Sequence, residues 1–327
     1  MKKRIFSAIQ PSGRLTLGNY LGSIKSWIKM QEDYDCIFSV ADLHTITVRQ
    51  NPENFRKNIM ETYALLLACG LDTKKCVFFI QSHVREHSEL AWILECFSSV
   101  GDLSRMTQYK DKSKRYSENV NAGLLTYPSL MAGDILLYDT DLVPVGKDQK
   151  QHIEFTRNLA IRMNGIYGEI FKIPDAFIPD VGAKIMSLKD PSKKMSKSVE
   201  SDATIGILDD EDVILRKIKR CVTDSGSKIK FTQGSLTGIN NLMTIYSSIK
   251  NVSFDEIEKE FENDGYGKFK EQTAEAIIEK FTPIREKFNQ IMKNKDYLLR
   301  EFENNAKIAS EIAAKKIKLV KEKIGFI

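Results

Sequence analysis

The sequence predicts an α/β protein, built on a doubly wound parallel sheet and completed by a smaller all-helical domain. Short, nearly continuous apolar strands alternate with amphipathic helical stretches through the first half of the chain. Cap and turn residues separate them. From about Asp202 the alternation stops, and helical patterns broken by polar loops such as TDSGSKI and NDGYGK take over with no convincing strand. Strands apolar on both faces belong in a parallel sheet covered by helices, and such sheets bind ligands at the carboxyl ends of their strands.

The elements follow in order. RIFSAIQ at 4–10 reads as a strand, a Pro-Ser-Gly turn follows, and an amphipathic stretch runs from about Asn19 to Gln31. CIFSVAD at 36–42 is the next strand, followed by a helix with Asn51 as N-cap, Pro52 in its first turn and Gly70 at its end. CVFFI at 76–80 leads to a helix from about Glu86 to Ser98, and a further α/β unit between Leu136 and Asn164 holds LVPV at 142–145 and a helix carrying Ile153, Leu159 and Ile161. The last helix, Glu301 to Lys323, sets Ile308, Ile312, Leu319 and Val320 against Lys315, Lys318 and Lys321. The expected division is 1–186 for the α/β domain and 187–292 for a lysine loop with the helical domain. The segment from about 293 to 327 is expected to pack back on the first.

With 327 residues, 42% hydrophobic and 28% charged, the chain can bury one sizeable core and a smaller second one. No apolar run approaches the roughly 18 to 20 residues that span a bilayer, and the N-terminus turns polar at Ser7 and Gln10 before a signal-peptide core forms. A cytoplasmic location is expected. Cys36, Cys69, Cys76, Cys96 and Cys221 are an odd set with no C-x-x-C pair, which fits buried free thiols. A net charge of +5 permits a polyanionic partner without demanding one.

Three segments carry chemistry. Gly13 to Gly18, GRLTLG, has the two glycines of a phosphate-binding P-loop, but Asn19-Tyr20 stand where that motif needs Lys and then Ser or Thr. What remains is a glycine permitting close backbone approach at a helix start that favours phosphate, or an ordinary strand-to-helix turn. KKMSKS at 193–198 crowds Lys193, Lys194 and Lys197 into one loop, where ammonium groups can neutralise charge on a transferring phosphate; a lysine run alone is more often a solvated loop. His83-Val84-Arg85-Glu86-His87 fits the H-x-x-E-H string of inverted zinc proteases, yet such a string recurs by chance and needs a third ligand in trans. No metal site is assigned.

The first two segments together resemble the signature pair of class I aminoacyl-tRNA synthetases, with Thr16-Leu17-Gly18-Asn19 as the HIGH-type element and Lys194-Met195-Ser196-Lys197-Ser198 matching the KMSKS string in full. Within that class IQPSG at 9–13, YPSLMAGDILLY at 127–138, VPVGKDQKQHIE at 143–154 and VGAKIMSLKDPSKKMSKS at 181–198 are similar to the bacterial tryptophanyl-tRNA synthetases. The resemblance runs from about residue 4 to the C-terminus and is strongest up to Ser198. Two features depart from it: the HIGH histidines are absent, and Ala8 stands where a glycine is frequent beside the pocket.

The resemblance implies a Rossmann-like catalytic domain, ATP with Mg²⁺ carried on it, tRNA(Trp) and L-tryptophan as partners, and a homodimer. It implies that Gln10, Pro11, Ser12, Gly18, Asn19, Gly146, Lys147, Asp148, Ile185, Lys194, Met195, Ser196, Lys197 and Ser198 bind ATP, with Lys194, Lys197, Gly18 and Asn19 catalytic. Lys112, in YKDKSKR, is a weaker triphosphate candidate. For the amino acid, Asp134 sits in an apolar run where an unpaired carboxylate is costly, and the indole N–H is a suitable donor. Tyr127, Met131, Gln149, Phe6, Val143 and Val145 line the rest of the slot, and His44 is implied as a neighbour. His152 reads as structural. The helical domain and the last helix are implied to receive the anticodon side of the tRNA. The competing readings are a tyrosine-specific enzyme of the same fold, from which the string around Asp134 separates it, and a tRNA-binding relative without catalysis, which the intact Lys194, Lys197, Gly18 and Asp148 oppose.

Overall fold

The computed structural model describes residues 2–115, 120–146, 149–177, 183–195, 201–224, 226 and 228–327. The first half runs β1 (Arg4–Ile9), α1 (Leu17–Asn19), a π-helical turn (Tyr20–Ile24), α2 (Lys25–Asp33), β2 (Asp35–Val40), α3 (Asp42–Thr45), α4 (Pro52–Cys69) and β3 (Cys76–Ile80). Next come α5 (Glu86–Phe97), α6 (Val100–Arg105), α7 (Thr107–Arg115), α8 (Ala122–Leu136), β4 (Leu142–Pro144), α9 (Lys150–Tyr167) and β5 (Asp175–Phe177). The remainder is helical: α10 (Glu211–Lys219), α11 (Gly238–Lys250), α12 (Phe254–Glu260), α13 (Tyr266–Lys293) and α14 (Lys295–Ile324).

Among the described residues the strands form one sheet in the order β3-β2-β1-β4-β5. Every pairing is parallel. The chain winds outward from β1 in one direction and then in the other, so the order reverses between β1 and β4. A crevice opens there, outside the carboxyl ends of both strands. Alternate residues point to opposite faces. Ile5, Phe38, Val40 and Phe78 enter a core shared with α2, α4 and the helical part, while Phe6, Ile37, Phe79 and Val143 enter a second core beneath α5, α8, α9 and α14.

Local signals in the sequence match the elements closely. Asn51 accepts a hydrogen bond from the Asn54 backbone N–H at 3.1 Å and α4 ends at Gly70, as its cap residues predict. α8 is the element that periodicity does not mark. Pro128 lies inside it and it is apolar nearly all round, so neither a helical stripe nor an uninterrupted helix former announces it. Asn121 caps its start by accepting from the Leu124 N–H at 3.0 Å. The face of α14 differs from the expected one: Ile308 is 45% exposed, and the buried side is Phe302, Ala306, Ala309, Ala313, Ile317 and Val320. Small residues let α14 lie close against β3 and α5. Lys316 is buried on that same side because Asp139 Oδ1 at 2.6 Å and the Ile170 carbonyl at 2.7 Å accept its ammonium hydrogens.

α5 and α8 are the most intimately packed helix pair, and Gly133 makes the approach possible. A Cβ there would stand 3.3 Å from the Ala91 backbone nitrogen and 3.5 Å from the His87 carbonyl oxygen. Gly133→Val is therefore expected to force the helices apart and to cost about 1–3 kcal/mol, with Gly133→Ala costing less. Urea denaturation measures this; a valine variant as stable as the parent would mean that the close approach is dispensable.

Candidate active site

The switch point between β1 and β4 has one side built from the glycine-bearing loop and another built on α8. Ile5 pairs with Leu142, so Ala8 and Val145 emerge side by side at the open end of the sheet. Ala8 is exposed although β1 is central, which leaves space above it. The chain then passes through Gln10, buried Pro11 and exposed Ser12 to the start of α1. Asn19 closes a capping box there: its Oδ1 accepts from the Thr16 N–H at 2.9 Å, and the Asn19 N–H donates to Thr16 Oγ1 at 3.3 Å. Its acceptor is thus committed locally, and only its amide N–H groups remain to meet a phosphate. On the other strand, Gly146 is exposed and its carbonyl accepts from the Gln149 N–H at 3.0 Å. Lys147 and Asp148 lie outside the described residues.

The lysine segment folds over this loop. Met186 and Lys194 form an antiparallel bridge, and Met195 donates to the Ile185 carbonyl at 2.9 Å. Gly18 is the meeting point of the two segments that the sequence marks. A Cβ on it would lie 3.2 Å from the Met195 carbonyl oxygen and 3.3 Å from Met195 Cβ. Two residues before it are tied as well, Leu17 donating to the Ile205 carbonyl at 2.8 Å and Leu15 accepting at its carbonyl from the Ile207 N–H at 3.0 Å. Asn241 on α11 holds Met186 from both sides, accepting from its N–H at 2.8 Å and donating to its carbonyl at 2.9 Å. Asn241 carries no motif, and only its burial inside a helix sets it apart. Lys194 is exposed. Ile185 and Met195, both expected at the nucleotide, are 1% and 2% exposed, their side chains part of the first core. Ser196, Lys197 and Ser198 lie outside the described residues.

Asp134 occupies the apolar side, buried within α8. Its expected need for a donor is met by the protein three times over, which corrects the premise that its partner must come from a ligand. His44 Nε2 lies 2.9 Å from Oδ2, while Gln81 Nε2 at 2.7 Å and His87 Nδ1 at 2.6 Å both meet Oδ1. Burial alone pushes this carboxyl up, yet the hydrogen bonds from His44 and His87 outweigh it and hold the pKa at about 2. Asp134 is therefore an ionised acceptor. Oδ1 has two partners and Oδ2 one, so one lone-pair site of Oδ2 is open.

Of the residues expected to line the slot, Tyr127 stands beside the His44 that bonds Asp134. The Tyr127 ring stands 6.2 Å from that of His44, edge to face, and its hydroxyl is 2.8 Å from His152 Nε2. Phe6 and Val143 are buried in the second core with Met131 and Val145 packed against it, and Gln149 precedes α9 as its cap residue. Phe6 stacks on Tyr138 at 5.7 Å. Lys112, expected near the triphosphate, lies 4.4 Å from the Tyr127 ring centroid, and burial lowers its pKa. It therefore stands at the slot, able to meet an anion there. The H-x-x-E-H string diverges: His83 faces Phe302, Glu86 accepts from Ser310 Oγ at 2.9 Å, and His87 turns to Asp134. Among the described residues no group of three or more His, Cys, Asp or Glu could hold a metal ion. Gln81, His87 and Tyr138 are the site residues that sequence reasoning misses; the string singles out His87, though for another chemistry.

A doubly wound sheet whose switch-point crevice is overlaid by a lysine-bearing hairpin has the organisation of a nucleotide-using transfer enzyme of the class I synthetase type. Comparison with known proteins agrees. The family model for tRNA synthetases class I (W and Y) matches residues 1–282. A tryptophan–tRNA ligase of Clostridium acetobutylicum is 51% identical over 328 aligned residues, covering 100% of this chain and 98% of that protein. The crystal structure of tryptophanyl-tRNA synthetase from Mycoplasma pneumoniae superposes with a TM-score of 0.90 at 36% identity, over 99% of this chain and 98% of that one. The Campylobacter jejuni enzyme complexed with ADP and tryptophan gives 0.84 at 36% identity, over 98% and 99%. The chain belongs to the class I tRNA synthetases of the tryptophan and tyrosine family.

Removing the Asp134 carboxylate leaves donors on His44, Gln81 and His87 without their acceptor in a buried place. Asp134→Ala is expected to lose at least about 2 kcal/mol of unfolding free energy. Equilibrium denaturation decides: an unchanged midpoint would mean that these donors are satisfied elsewhere.

Proposed function

We propose that this chain is a tryptophan–tRNA ligase that activates L-tryptophan with ATP, releases pyrophosphate, and transfers the amino acid from tryptophanyl-adenylate to the 3′ end of tRNA(Trp). The observation that carries the reading is 51% identity along the whole chain to a ligase of that name. The site supports it. The acceptor left over on Asp134 Oδ2 suits a flat ring with one N–H to donate, and Tyr127, Met131, Phe6, Val143 and Val145 are its proposed lining.

Adenylate formation then needs no nucleophile from the protein. The tryptophan carboxylate attacks the α-phosphate in line and pyrophosphate leaves, so the chain's task is placement and neutralisation of charge. We assign the triphosphate to the loop from Gln10 to Asn19 and to Gly146 through Asp148, with Lys194 and Lys197 over the departing pyrophosphate. Mg²⁺ is assigned to the ATP phosphates, since no cluster of protein ligands presents itself among the described residues. Residues 187–292, with exposed Lys268, Lys280 and Lys287 along α13, are the proposed anticodon-side surface, where phosphate contacts fix register. No helix among the described residues is long and apolar enough to cross a membrane, and a cytoplasmic place is proposed.

Exchange of labelled pyrophosphate into ATP, run with each amino acid in turn, tests the assignment: tryptophan should be the substrate that supports it. In the same assay Lys197→Ala should lower the rate by at least about two orders of magnitude with little change in tryptophan affinity, because the ammonium acts on transition-state charge. Near-normal exchange in that variant would remove Lys197 from the chemistry. A homodimer is also proposed, supported by Trp92 at 67% and Val100 at 70% exposed on the successive helices α5 and α6. It should sediment near twice 37.3 kDa at micromolar concentration, and a species at 37.3 kDa alone would remove it.

A further inference from the structure

His87 is fully buried on α5, and its two ring nitrogens have different partners. Nδ1 is 2.6 Å from Asp134 Oδ1 and Nε2 is 2.8 Å from the Tyr138 hydroxyl. An ionised carboxylate only accepts, so Nδ1 must carry the hydrogen. Burial, followed by the charges of Asp134 and Glu86, keeps Tyr138 protonated by raising its pKa well above the usual value. Its O–H finds no acceptor among the described residues other than Nε2. The neutral ring with hydrogen on Nδ1 satisfies both bonds, so Tyr138 donates to His87 and His87 donates to Asp134.

This chain of donors has a geometric consequence. Oδ1 is filled by His87 and Gln81, and the Gln81 amide is itself fixed because its Oε1 accepts from the Leu43 N–H at 3.1 Å. A carboxylate held by two donors at one oxygen cannot rotate about its terminal bond without breaking both. We propose that His87, held at its far nitrogen by Tyr138, is a positioning residue for amino-acid selection: it fixes the plane of the Asp134 carboxylate so that the open acceptor site of Oδ2 meets the indole N–H. The proposal rests on the reading of Asp134 given above. His87 touches no substrate and acts through Asp134. Tyr138 serves the far side of the ring: without its O–H the buried Nε2 lone pair has no donor, and the Asp134 contact alone is left to hold the plane of the ring.

The test is the ratio of kcat/KM for tryptophan to that for 3-(benzothien-3-yl)alanine, which lacks the N–H, measured by pyrophosphate exchange with full-length protein. Tyr138→Phe and His87→Leu are expected to lower this ratio by about three- to tenfold, through KM for tryptophan and with KM for ATP unchanged. His87→Asn, whose amide nitrogen can take the place of Nδ1, is expected to stay within about twofold of the parent, a rescue that filling the cavity would not produce. If His87→Leu does not fold, Tyr138→Phe and His87→Asn carry the comparison. Should the His87 and Tyr138 variants keep the parental ratio while Asp134→Ala loses it, the inference is overturned and the reading of Asp134 stands. Should Asp134→Ala also keep it, both fall. Failure of His87→Asn to restore what His87→Leu loses would assign the effect to packing and overturn the role given to the donor.

Discussion

A carboxylate can lie inside an apolar helix only where donors converge on it, and the arrangement of the first half of this chain follows from that demand at Asp134. Left unpaired, a charge so buried costs several kcal/mol and takes up a proton instead. Here each donor comes from a different element. His44 follows β2, Gln81 follows β3, and His87 begins α5. The parallel pairing of β2 with β3 brings the first two together, and the missing side chain at Gly133 lets α5 bring the third. The sheet order, the helix contact and the ionisation of one residue are thus one problem with one solution.

Much of the architecture is written locally. The run CVFFI is β3 as it stands, and Asn51, Pro52 and Gly70 delimit α4 because capping and fixed φ act within one turn of chain. α8 and α14 show where local reading stops. A helix buried on most sides has no stripe, and its tolerance of Pro128 depends on neighbours. On α14 the largest apolar side chains suggest Ile308 as core, whereas contact with β3 favours alanine at 306, 309 and 313 because backbone proximity outweighs side-chain size there.

The site divides in the same way. Its strings are continuous in sequence, so Gly18, Asp134 and the lysine segment can be found by eye. Their partners are not continuous. His44, Gln81 and His87 stand 90, 53 and 47 positions from Asp134, and no spacing rule reaches that far. The energetic argument that a buried carboxylate wants a donor is sound for Asp134. It does not say whether the donor is a ligand or the protein, and here three protein donors leave one position over. His87 illustrates the converse error, since a histidine inside a metal-like string takes its meaning from the residue it faces and not from its neighbours in the string.

The two halves of the crevice are held by different means, and this sets how they can respond to a substrate. The side at Asp134 is a buried network in which Gln81 and His87 are each fixed by a further hydrogen bond. The nucleotide side depends on backbone contacts between separate segments: Leu17 with Ile205, Ile207 with Leu15, Met195 with Ile185, and Gly18 against Met195. Asn241 then binds Met186 to α11. Contacts thus run without a break from α11 through Met186 to the lysine segment, and from Met195 to the glycine loop at Gly18. The side at Asp134 is therefore held locally, whereas the place of the lysine segment depends on how the helical part sits on the sheet.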